Sequence, residues 1–403
     1  MAHFVVIGAG QAGASLVAKL RAEGFDGQIT LIGAEPVPPY QRPPLSKAYL
    51  LGDMEQARLY LRPQDWYAQN DITLHLDTRV VSIDATRKTI LLSSGENLNY
   101  DELALTTGSH PRMLPAAIGG NLNGVYAVRD LKDADAMAPE FGPGRHVLII
   151  GGGYIGLEAA AVAAKKGLKV TLVEMADRIL QRVAAPETSD FFRALHVKHG
   201  VDIREAVGLE RLTGVERVTG AVLTDGTELE IDFAIVGVGI TPASILTESA
   251  GLTLDNGIAT DEFGRTSDAH IWAAGDCASF PYRGQQMRLE SVGNAIDQAE
   301  IVAQNMMGRS VSYLPKPWFW SDQYDCKLQI AGLNVGYDAV YVRKTADDAV
   351  SHWYYREDEL LAVDAMNDPR NYMIGKRLIE AGKSPAPSVI TDPATDMKAL
   401  LRA

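Results

Sequence analysis

Short apolar runs alternate with helix-patterned stretches through the first part of the chain. Residues 4–7 (Phe4, Val5, Val6, Ile7) form one run and 28–32 another, with helical spacing of apolar positions over about 11–23 between them. Continuous apolar runs separated by a helix are the pattern of parallel strands covered on both faces, so the order predicts a βαβ start. An irregular proline-rich stretch follows at 36–44. After Pro63 come a short helical segment and small strands such as 88–92, leading into 100–108. The pattern then restarts, with apolar runs at 147–150 and 169–173 and a strand at 234–242 broken by glycine and proline, which suits a crossing between domains. Residues 266–276 read as a strand ending in an acid beside glycine. From about 316 the composition turns aromatic, and the runs 327–331, 339–342 and 352–355 predict a third, mixed α/β domain. The proline-rich stretch 384–393 reads as a surface connection.

Each of the two βαβ starts carries a glycine fingerprint. Gly8-Ala9-Gly10-Gln11-Ala12-Gly13 follows the first run, and Gly151-Gly152-Gly153-Tyr154-Ile155-Gly156 follows Val147 to Ile150. In such a turn the first glycine permits the bend, the second lets a pyrophosphate approach the backbone, and the third lets helix and strand pack closely. A single fingerprint is weak evidence, but each of these is followed by an acid at the spacing that suits hydrogen bonds from ribose hydroxyls. Glu35 lies 22 residues past Gly13, and Glu174 lies 18 past Gly156. Two dinucleotide sites in one chain imply electron traffic between them. A carboxylate at Glu174 also repels a 2′-phosphate, which favours NADH over NADPH in the second site.

Length and charge narrow the class. With 403 residues the chain is long enough for two to three domains, and 46% hydrophobic with 22% charged residues is an ordinary globular composition. The net charge of −13 disfavours nucleic acid and anionic membranes as partners. No apolar stretch reaches a membrane span, and Met1-Ala2-His3-Phe4 enters the first strand without a basic leader, so a cytoplasmic location is expected. The only cysteines, Cys277 and Cys326, form no close pair, which supports neither a disulfide framework nor a zinc site. This bears on mechanism, because many flavoenzymes with two dinucleotide sites work through such a pair. His196 and His199, three apart on a predicted helix, have no clustered third ligand and read as a partly solvated helix face.

Further motifs carry a resemblance: Arg42-Pro43-Pro44-Leu45-Ser46-Lys47, residues 151–158, residues 266–276, Arg288-Leu289-Glu290-Ser291-Val292, and Pro317-Trp318-Phe319-Trp320-Ser321-Asp322-Gln323-Tyr324. With the first fingerprint, they make the whole chain resemble the NADH-dependent ferredoxin reductases of bacterial oxygenase systems, the putidaredoxin-reductase type. The resemblance implies an α/β architecture, glutathione-reductase-like, with two Rossmann-like dinucleotide-binding domains. It places an FAD-binding domain at 1–112 and 241–315, an NAD-binding domain at 113–240, and a C-terminal mixed α/β domain at 316–403. It implies that Gly8, Gly10, Ala12, Gly13, Ala34 and Glu35 hold the adenosine end of FAD. Arg42, Val80, Arg129, Asp276 and Val292 match further flavin contacts, and Trp320 would pack near the ring. Lys47 would lie beside the isoalloxazine, where related enzymes keep a redox disulfide. Gly151, Gly153, Gly156, Glu174, Arg182 and Gly237 would hold NAD, with Glu158 and Glu290 near the nicotinamide.

The activity so implied is hydride transfer from NADH to FAD, followed by single-electron transfer to a 2Fe–2S ferredoxin that serves a haem-thiolate monooxygenase. Arg62, Lys327, Arg343 and Arg377 are loose candidates for a basic docking patch, since ferredoxins are commonly acidic. Two other readings stay open on the sequence: another NADH flavoprotein reductase, such as a rubredoxin or nitrite reductase component, and a redox-sensitive binding protein resembling apoptosis-inducing factor.

Overall fold

The computed structural model describes residues 1–402 and divides into two compact units. The first comprises residues 1–41, 56–110 and 240–317. Its centre is a five-stranded parallel sheet in the order Ile271–Ala273, Glu102–Leu105, His3–Ile7, Gln28–Ile32, Ile72–His75. Alternate residues of one strand face opposite ways, so Phe4 and Val6 pack under the helices Gln11–Ala22 and Val292–Met306, with Leu16, Leu20 and Val302. Val5 and Ile7 face the other side, against Ile83, Ile90 and Leu92. Burial on both faces is why these strands read as continuous apolar runs. Val292–Met306 starts where Ser291 accepts from the Asn294 amide.

The second unit comprises residues 42–55 and 111–239 and the C-terminal stretch from Trp318. Its parallel sheet runs Asp202–Glu205, Lys169–Glu174, His146–Ile150, Phe233–Val236, Val125–Tyr126. His146–Ile150 is fully buried and pairs in register with both Lys169–Glu174 and Phe233–Val236. A five-stranded antiparallel sheet follows, ordered Trp318–Gln323, Cys326–Gly332, Glu359–Met366, Val350–Arg356, Ala339–Lys344, with the helix Pro369–Glu380 packed on it. One apolar core joins these parts, since Leu157 and Val162 of the helix Tyr154–Lys165 share it with Leu50, Cys326, Leu328 and Met366. Among the described residues no helix is long and apolar enough to cross a membrane.

Two expectations need correction. The stretch 384–393 is more than a surface connection: it contains the helix Pro387–Thr391, and Ile390 is fully buried. Arg343 is no docking candidate, because it is buried and donates to the carbonyls of Ile390 and Asp392 at 2.8 and 2.7 Å, holding that segment against its strand.

Candidate functional site

In the first unit the strand His3–Ile7 turns at Gly8 into the helix Gln11–Ala22. A Cβ on Gly8 would lie 2.2 Å from the Thr106 carbonyl oxygen, and one on Gly13 would lie 2.0 Å from the Gly8 oxygen. The chain itself therefore demands both glycines. Gly10 differs: its backbone is extended, and an added Cβ would meet nothing within 4 Å. The second fingerprint repeats this arrangement. A Cβ on Gly151 would lie 2.4 Å from the Gly237 oxygen and one on Gly156 2.1 Å from the Gly151 oxygen, while Gly153 again faces open space. The middle glycine of each turn thus has no steric cause within the protein. It leaves the backbone bare at a helix N-terminus, which fits a dinucleotide pyrophosphate.

Glu174 is the last residue of the strand Lys169–Glu174, whereas Glu35 lies in the bend just past the strand Gln28–Ile32. Glu174 accepts from the Gly152 and Ala176 amides at 2.7 and 2.8 Å, so its carboxylate sits at the edge of the glycine turn. Glu35 accepts from the Tyr40 hydroxyl at 2.6 Å, beside exposed Ala34. Asp276 accepts from Ser109 at 3.0 Å. Ala12 is buried, Val80 opens the half-buried start of strand Val80–Asp84, and Val292 is the first residue of its helix. Glu290 is exposed and paired with Arg288. Arg182 is exposed on the loop after Lys169–Glu174.

The second unit also gathers a compact charged cluster. Pro43–Ser46 forms a single 3-10 turn anchored by buried Leu45. Lys47 follows it, and its ammonium lies 3.0 Å from Glu158 Oε1, 3.8 Å from Asp322 and 5.8 Å from the centre of the Trp320 ring. Trp320 in turn stacks on Trp318 at 5.4 Å. Glu158 lies on the helix Tyr154–Lys165 with a side chain 6% exposed, where Ser46 donates to Oε2 at 2.8 Å and Ser321 to Oε1 at 2.7 Å. Burial pushes its carboxyl above the usual range, while Lys47, Ser321 and Ser46 hold it down by stabilising the charged form. Arg42 donates to the Arg129 carbonyl at 2.8 Å, tying the turn to the segment that leads into the helix Leu131–Met137. A cavity of about 90 Å³ opens beside Lys47 and Glu158, lined also by Lys165 and Tyr324.

Two of these partners, Ser46 and Ser321, carry no sequence signal as ligands of Glu158. They sit 112 and 163 residues away from it, and isolated serines in a turn and a strand are unremarkable. The expectation for His196 is also overturned. It is fully buried on the helix Pro186–Lys198, because the strand Trp318–Gln323 covers that helix face and Gln323 pairs with its ring at 2.7 Å. Only His199 keeps the exposed position, stacked on Tyr324 at 3.7 Å.

Comparison with known proteins gives the family. Residues 2–299 match the family model described as pyridine nucleotide-disulphide oxidoreductase, and 318–401 match a reductase C-terminal model. The chain is 43% identical to a ferredoxin–NAD(P)(+) reductase of Sphingomonas sp, over 98% of this chain and 96% of that one. It belongs among the ferredoxin reductases of the pyridine nucleotide-disulphide oxidoreductase family. The reductase is also 41% identical to putidaredoxin reductase of Pseudomonas putida, over 100% and 97% of the two chains. Its structure is similar, with a TM-score of 0.96 and 39% identity, to the reductase in a crystal structure of a covalent putidaredoxin reductase–putidaredoxin complex, covering 100% and 98% of the two chains. The reductase is a flavoprotein that uses FAD and a nicotinamide dinucleotide. Despite the family's name, its turn at residues 42–47 carries no cysteine.

Proposed function

We propose that this ferredoxin reductase takes hydride specifically from NADH and passes electrons singly to a 2Fe–2S ferredoxin, which supplies a haem-thiolate monooxygenase in the cytoplasm. The observation that carries the reading is the pair of glycine turns whose middle glycines, Gly10 and Gly153, face open space, with an acid at or just past the end of the next strand in each case. FAD takes the first turn, within a discontinuous domain at 1–112 and 241–315; NADH takes the second, at 113–240; residues 316–403 form the C-terminal domain. When bound, the nicotinamide supplies a hydride, and the flavin accepts it and releases electrons one at a time.

The protein's part is to bind, orient and set charge. Gly8, Gly10 and Gly13 with Ala12, and Gly151, Gly153, Gly156 and Gly237, form the two pyrophosphate cradles. Glu35 and Glu174 accept from ribose hydroxyls. The two amides that hold Glu174 leave further lone pairs free for a diol, and the same carboxylate repels a 2′-phosphate. Ala34, Arg42, Val80, Arg129, Asp276 and Val292 line the flavin, Arg182 serves the adenosine end of NAD, and Trp320 packs against the flavin ring. Lys47 is the cation for negative charge that develops on the reduced ring, and Glu158 holds its ammonium in place. Glu158 and Glu290 bound the nicotinamide. Lys327 and Arg377, both exposed, are the docking cations for an acidic ferredoxin.

The test is coenzyme preference in the FAD-loaded enzyme. NADH is expected to outperform NADPH in kcat/KM by at least about tenfold, a difference of ~1.4 kcal/mol. Equal efficiencies would overturn the role given to Glu174.

A further inference from the structure

The hydrogen bonds behind Glu158 allow only one arrangement of protons while that residue is ionised. A carboxylate only accepts. Ser321 must therefore spend its single hydrogen on Glu158 Oε1, at 2.7 Å. Its oxygen is left to accept from Gln323 Nε2 at 3.1 Å. That fixes the amide, turning Gln323 Oε1 towards His196 Nε2 at 2.7 Å, so Nε2 has to carry the ring proton. His196 is neutral, its pKa pushed down to about 4 by burial, and its bare Nδ1 accepts from the Tyr324 hydroxyl at 3.2 Å. Ser321, Gln323 and His196 are all fully buried, so no solvent competes along this path.

We propose that Ser321, Gln323 and His196 are positioning residues for Glu158: a one-way chain of donors that fixes its carboxylate in the ionised state opposite Lys47. The direction is the essential feature. If the demand at Glu158 is removed, the Gln323 amide is free to turn over, offer its nitrogen to His196 Nε2 and drive the ring proton to Nδ1. The charge state at the Lys47–Glu158 pair and the tautomer of a histidine on another helix are then two ends of one equilibrium. The consequence for catalysis rests on the reading of Glu158 as the partner of Lys47 at the flavin, but the tautomer itself does not.

The experiment is nitrogen NMR of the FAD-loaded protein labelled with 15N-histidine, with the His196 signals identified by their loss in His196→Phe. The wild type is expected to hold the proton on Nε2. Ser321→Ala and Glu158→Leu should each raise the Nδ1-protonated population at least about tenfold, a shift of ~1.4 kcal/mol in the tautomer equilibrium. Ser321→Thr keeps the hydroxyl and should match the wild type, which separates loss of the donor from a fault in packing. A wild type protonated on Nδ1, or a tautomer unmoved in both Ser321→Ala and Glu158→Leu, would overturn the chain. His196→Phe should also slow NADH-driven flavin reduction with little change in KM. If the tautomer responds as expected but that rate does not change, the chain stands and the assignment of Glu158 to the reacting rings falls.

Discussion

Asp364 and His352 face the same threonine, and removing either should expose a pH dependence of stability that the pair conceals. Thr188, on the helix Pro186–Lys198, donates to Asp364 at 2.8 Å and lies 2.8 Å from His352 Nδ1, while Tyr354 also donates to Asp364. Burial raises the Asp364 carboxyl to about 6 and lowers the His352 imidazole to about 4. For the carboxyl, the folded state binds more protons than the unfolded one between pH ~3.8 and ~6, so its contribution falls as pH rises through that window, by about 3 kcal/mol. For the imidazole, the unfolded state binds more protons between pH ~4 and ~6.5, so its contribution rises with pH, again by about 3 kcal/mol. The two slopes nearly cancel. Asp364→Asn should leave the histidine slope alone, so that the variant gains stability relative to the wild type as pH rises from 4 to 6. His352→Gln should lose stability over the same range. The assay is the thermal midpoint at a fixed scan rate, read against the wild type at each pH so that shared titrations drop out. A constant offset from the wild type across pH 4 to 7 in both variants would show that Asp364 and His352 do not carry opposing slopes.

Lys47→Ala should slow flavin reduction by NADH roughly ten- to thirtyfold, equivalent to ~1–2 kcal/mol, with FAD content unchanged; stopped-flow absorbance measures this, and an unaltered rate contradicts the electrostatic role. Gly10→Ala and Gly153→Ala meet no atom of the chain within 4 Å, so the apoprotein's stability should stay within about 0.5 kcal/mol of the parent's. Gly10→Ala should nevertheless weaken FAD binding and Gly153→Ala should raise KM for NADH, as titration and steady-state kinetics would show; normal affinity in both contradicts the two-site assignment. Replacing Cys277 and Cys326 by serine should leave ferredoxin reduction intact, since burial raises both thiols, Cys326 to about 12, and so removes nucleophilic character. An enzyme that is reduced by NADH but cannot pass electrons on after this change would implicate a thiol.

The nucleotide-binding half of the fold is legible because local rules govern it. Strand, glycine turn, helix, strand and acid follow within a few tens of residues, and the structure forms those elements in both halves, with Glu174 closing its strand and Glu35 just past the end of its own. What surrounds Glu158 is not local. Its helix, the turn before Lys47 and the strand Trp318–Gln323 come from three distant parts of the chain, and serine or glutamine on a strand carries no mark of burial. His196 shows the same limit, since its helix pattern is compatible with solvent until a strand more than a hundred residues later covers it. Arg343 resembles any surface arginine in sequence, yet the fold uses it to hold four C-terminal carbonyls. The aromatic composition of 318–320 announces a change of domain without giving the register that sets Trp320 over Lys47.

In this reductase, reducing equivalents are expected to enter from NADH through the flavin and leave directly to an iron–sulfur protein. Anaerobic double mixing tests it most directly: the FAD-loaded reductase first with one equivalent of NADH, then with an excess of oxidised 2Fe–2S ferredoxin, using putidaredoxin among a panel of such proteins. Flavin absorbance should be lost in the first mix. In the second, flavin absorbance should return as two ferredoxins are reduced for each NADH consumed. A flavin that NADH does not bleach, or one that stays reduced in the presence of every ferredoxin in the panel, would contradict it.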